Sequence, residues 1–153
     1  YLGRISASTL SEEHAQKLMH LVAMTNDLEH VADRIATDMT TSARKRMDER
    51  VVVKPEAAAR ITAYHAEVSR ALRDAVAAVM AEDHELAATV RNMKHGVTDM
   101  ANQISRERFG HVPGGAEASI RGYVREVELL EILDGIFKIA RRIARTELAP
   151  AAA

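Results

Sequence analysis

The chain has 153 residues, a length that suits one domain and lets roughly 70% of the unfolded surface be buried. Charged residues make up 28% and aromatics only 3% with no Trp, so an intrinsically disordered chain and an aromatic stacking platform for single-stranded nucleic acid are both disfavoured. The formal charge of −1 gives no global attraction for polyanions, and the absence of Cys removes disulfides, thiolate metal sites and cysteine nucleophiles. No apolar stretch reaches the roughly 18–20 residues that a membrane span needs. Position 1 is Tyr and no signal-peptide run follows it, so the numbering is expected to start inside a longer gene product.

Apolar residues recur at three- and four-residue steps along the whole chain and Ala is plentiful. This predicts an all-α protein, an antiparallel up-down bundle of about four long helices forming a single domain over 1–153. The first helix is expected from about Ser11 to Arg46 or slightly beyond, with Thr9 and Glu12 spaced as a capping box. Its stripe is Leu18, Leu21, Met24, Leu28, Val31, Ile35 and Met39. Arg44, Lys45 and Arg46 fall in its last turns, where cations oppose the negative end of the helix dipole.

A second helix opens at Pro55 and buries Ile61, Tyr64 or His65, Val68, Leu72, Ala75, Val76 and Val79. Glu82-Asp83 reads as a tight break, with Asp83 the N-cap of a third helix carrying Leu86, Val90, Met93, Val97, Met100 and Ile104. Gly110, Pro113, Gly114 and Gly115 mark the next loop. The fourth helix then carries Ile120, Val124, Val127, Leu130, Leu133, Ile136, Ile139 or Ala140, and Ile143, ending before Pro150. Met19, Met24, Met39, Met80, Met93 and Met100 fall at or beside core positions, although methionines also suit adaptable helix-binding surfaces.

Ionisable groups crowd the apolar pattern at Asn26-Asp27-Leu28-Glu29-His30-Val31-Ala32-Asp33-Arg34. Glu29 and Asp33 are four apart on one helix face, a repulsive pair that a hard cation would offset; Arg34 or solvent would do so equally. Asp27 and His30 have the spacing of half a di-metal centre, but no second acid-x-x-His stands on another helix. Phosphate-binding, nucleophile-elbow and dinucleotide motifs are missing, as is His-Glu-x-x-His. A metal-dependent phosphohydrolase would need a second cluster of acids or imidazoles facing Glu29 and Asp33.

Sliding the first helix over the fourth sets Leu28-Glu29-His30-Val31-Ala32-Asp33 on Leu133-Asp134-Gly135-Ile136-Phe137-Lys138. With this echo the chain resembles the PhoU family of phosphate-uptake regulators, and more closely the PhoU-like domain at the cytoplasmic end of bacterial sodium/phosphate cotransporters. In that family two three-helix bundles each carry a Leu-Glu-Arg-Ile-Gly-Asp-type segment. Residues 28–33 resemble the first copy, and residues 55–148 resemble the three helices of the second half. The resemblance implies a non-enzymatic regulatory or accessory domain at the inner face of the plasma membrane, acting on or fused to a membrane phosphate transporter. It further implies helix-face contacts that favour a homodimer, and Glu29 and Asp33 as ligands of a divalent metal or iron; the charge balance and scarce aromatics already argue for no nucleic acid partner. The sequence departs from the family pattern at Lys138, where the second copy has an Asp, and at Lys94 and Thr98, where the family often shows Asp-x-x-x-Asp. A generic helical scaffold or signalling-dimer module is the alternative.

Overall fold

The computed structural model describes residues 11–109 and 117–148, which form four helical rods and contain no strand. The first rod comprises α1 (Glu12–Asp33), a π-helical turn (Arg34–Met39) and α2 (Thr40–Asp48). The second is α3 (Pro55–Ala81), the third α4 (His84–Asn92) with α5 (Lys94–Phe109), and the fourth α6 (Glu117–Glu147). Side-chain links fix the directions. Asp27 meets Arg142 and Ser42 meets Glu128, so the first rod runs antiparallel to α6; Lys17 meets Glu82, so it is also antiparallel to α3. The up-down order expected from short connections is the one observed.

The helix ends follow local chemistry. The N-cap of α1 is Ser11, whose hydroxyl accepts from the His14 N–H at 3.4 Å, and Thr9 of the expected capping box lies outside the described residues. Pro55 stands at the start of α3. At the other end of α3 Glu82 takes a left-handed conformation (φ 54°), and the Asp83 N–H reaches back to the Ala78 carbonyl at 2.8 Å. The Asp83 carboxylate then accepts from the Leu86 N–H at 2.9 Å, so one residue closes α3 and caps α4. Arg50 (φ 53°) ends α2 in the same way, with the Val51 N–H donating to the Arg46 carbonyl at 3.0 Å. The loop with Gly110 and Pro113 and the stop at Pro150 lie outside the described residues.

The core is centred on α3 and α6. Ala71, Ala75 and Ala78 of α3 and Ala140 and Ala144 of α6 are fully buried, and such short side chains let helix axes approach closely. Tyr64, Val68 and Val79 join Leu133, Ile136, Phe137 and Ile143 around them, while His65 is exposed. The third rod adds Ala87, Val90, Val97 and Ile104. The first rod lies along α6, only grazes α3, and among the described residues does not meet the third rod.

Several expected core positions are therefore open. Leu21 and Ile35 of the first stripe are half-exposed, as are Ile120 and Val124 at the start of α6; Met19 and Met80 face solvent. Ile35 has a specific cause. In the π turn inward positions fall five residues apart, so Arg34 and Met39 turn toward the bundle and Ile35 turns away. The Thr40 hydroxyl donates to the Ile35 carbonyl at 3.1 Å across this widened turn.

Candidate functional site

The charged segment of α1 divides between two faces. Met24, Asp27 and Val31 are three and four residues apart and point toward α6, whereas Glu29, His30 and Asp33 are exposed. Asp27 is buried in a carboxylate-guanidinium pair with Arg142, whose Nε donates to both carboxylate oxygens at 2.9 and 3.0 Å. The Arg142 guanidinium is thereby held in its charged form, its pKa raised mainly by the hydrogen bond to Asp27. Spacing in α1 shows Asp27 on the stripe between Met24 and Val31. That an acid there required a cation 115 residues away was missed at the sequence level.

Arg34 does not neutralise the Glu29 and Asp33 pair. Its guanidinium lies over Gly135 and reaches Asp38 at 3.9 Å. A methyl on Gly135 would stand 2.5 Å from an Arg34 guanidinium nitrogen, so the missing side chain makes the space that Arg34 occupies. Gly135 is the position that the internal echo aligns with His30. The two echo segments accordingly overlap across one antiparallel contact, between the first rod and α6.

In the second copy Asp134 is tied to Lys138 at 2.7 Å. Its charge also acts on Tyr64, whose phenol is pushed up to about 12, chiefly by burial and then by Asp134. The Tyr64 hydroxyl is buried with no hydrogen-bond partner.

A third set of charges joins the end of the first rod to α6. Glu128 accepts from Arg125 at 2.8 Å and from the Ser42 hydroxyl at 3.4 Å, Lys45 lies 3.9 Å from Glu128, and Arg125 reaches Glu49 at 3.1 Å. At the opposite end His84 of α4 meets the buried Glu147 at 3.0 Å.

Among the described residues no three His, Asp or Glu side chains converge as a metal-binding group. The donors at Glu29 and Asp33 are thus two exposed carboxylates, too few for a multinuclear cluster. No helix among the described residues is long and apolar enough to cross a membrane. No protein-family model, curated protein or solved structure matches the chain.

Proposed function

We propose that this chain is a regulatory or accessory helical domain of phosphate uptake, acting on or fused to a membrane sodium/phosphate cotransporter from the cytoplasmic side. It would work by helix-face contact and not by catalysis. The observation that carries this reading is the half-covered first rod. It packs on α6 along its length yet leaves Met19, Leu21 and Ile35 open, as expected of a helix whose remaining neighbours belong to a transporter, an absent part of the same product or a second copy. The helix order and the Leu28-to-Asp33 segment add the resemblance to PhoU-like domains. In the native host, removing this segment from its gene should change the rate or set point of labelled phosphate uptake while transporter abundance stays constant. Unaltered uptake under both phosphate-replete and phosphate-starved growth would refute the reading.

Glu29 and Asp33 are proposed as a weak site for a divalent cation such as Mn, Mg or iron. Mn should raise the melting temperature at neutral pH by a small amount that disappears at acid pH and in Glu29→Ala plus Asp33→Ala. A flat titration would eliminate the site. The same uncovered stripe favours one other reading, a self-pairing scaffold. Sedimentation of the chain as a dimer, broken by Leu21→Glu, together with unchanged phosphate uptake, would support it.

A further inference from the structure

The most exposed large apolar side chains among the described residues are at the corner between the first and second rods. Val52 is 89% and Met47 77% exposed, and neither helps the core. They line an open hollow of about 530 Å³ together with Ala43, Val51, Arg46 and Arg50. The start of α6 lies alongside, where a methyl on Gly122 would sit 3.7 Å from Val51.

Charge is concentrated at the same place. Glu49 pairs with Arg125 and Lys45 lies 3.9 Å from Glu128, while Arg44, Arg46, Arg50 and Lys54 are exposed against Asp48 and Glu56. The chain as a whole is slightly acidic, so this excess of cations is local. Dipole compensation in the last turn of α2 accounts for Lys45 and Arg46 but not for Arg44, which precedes that turn, or for Arg50 and Lys54, which lie beyond the helix.

We infer that this corner docks on an anionic lipid surface, with Met47 and Val52 entering the headgroup layer and the surrounding cations contacting lipid phosphates. Projecting apolar tips ringed by Arg and Lys combine the two attractions of interfacial binding, apolar burial and charge, each weak alone. An acidic helical peptide would also meet the cations. It would be expected to lie in a groove that shelters its apolar contacts, whereas Met47 and Val52 stand almost wholly in solvent. The inference does not depend on the phosphate-uptake reading.

Vesicle co-sedimentation of the full chain tests it. Binding is expected to vesicles containing about one-third phosphatidylglycerol and not to pure phosphatidylcholine, falling steeply between 50 and 300 mM salt as the Debye length shortens (ionic strengths chosen around the ~10 Å length at 0.1 M). Arg44→Glu plus Arg50→Glu should weaken it about tenfold or more, and Met47→Ser plus Val52→Ser severalfold. These positions are exposed, and retained helicity by circular dichroism identifies folded variants. Because the chain has no Trp, Val52→Trp supplies a single reporter whose emission should shift to the blue only with anionic vesicles. Equal binding to neutral vesicles, no binding to anionic ones, or binding with unshifted emission would overturn the inference. So would capture of an acidic amphipathic peptide at this corner by a chain that ignores vesicles.

Discussion

The Asp27–Arg142 pair is asymmetric in its exposure, and that asymmetry decides what each residue contributes. The Asp27 side chain is 11% exposed and that of Arg142 55%. Removing Asp27 leaves a guanidinium that water can reach, while removing Arg142 strands a buried carboxylate. Arg142→Ala is therefore expected to cost about 2–3 kcal/mol and Asp27→Ala about 1 kcal/mol, measured by urea unfolding at pH 7. Equal losses would show that the pair is solvated as a unit. Tyr64 carries the opposite lesson. Its hydroxyl is buried without a partner, so Tyr64→Phe should be neutral or stabilising by up to about 1 kcal/mol. With the folded phenol at about 12 and the unfolded one near 10, the folded state holds the proton more tightly. Stability from this group is complete below pH 10 and falls as pH rises toward 12. The Tyr64→Phe substitution removes that alkaline decline, which thermal melts across pH 8–11.5 would reveal.

Among the elements, helix ends and helix interiors are set by different residues. Arg50 ends α2 at φ 53° and bears a side chain where glycine is preferred. Gly96 stands within α5, where glycine has maximal freedom to lose and a methyl would meet nothing within 4 Å. Arg50→Gly and Gly96→Ala are each expected to stabilise by about 0.5–1 kcal/mol, a rise in melting temperature of a few degrees for a chain of this size. A fall for Gly96→Ala would place a neighbour against that face. The end of α3 was legible in advance because Glu82-Asp83 breaks the apolar period and Asp has a side chain suited to capping. The π turn was not legible. Ile35 continues the spacing of Leu28 and Val31, yet in the π turn Arg34 takes the inward position in its place, while Met39 stays on the inward side as its spacing predicts.

For the molecule as a whole, the contact between α3 and α6 dominates the packing. The fully buried alanines leave no room for a larger residue, so Ala75→Leu should destabilise by about 1–3 kcal/mol through overpacking, read as a lower urea midpoint with an unchanged m-value. The same substitution at exposed Ala66 should change little. Helix number, order and alternating direction were determined by the sequence itself, because a 3.6-residue apolar period and sparse breaks are local properties that short connections turn into antiparallel rods. The inward choice of Tyr64 over His65, the retreat of Leu21, Met19 and Ile120 from the core, and the union of Asp27 with Arg142 were decided only by the tertiary structure. A stripe says which face of a helix is apolar. How much of that face is covered, and which charge meets it, depends on partners that lie a hundred residues away and come together only when the rods pack.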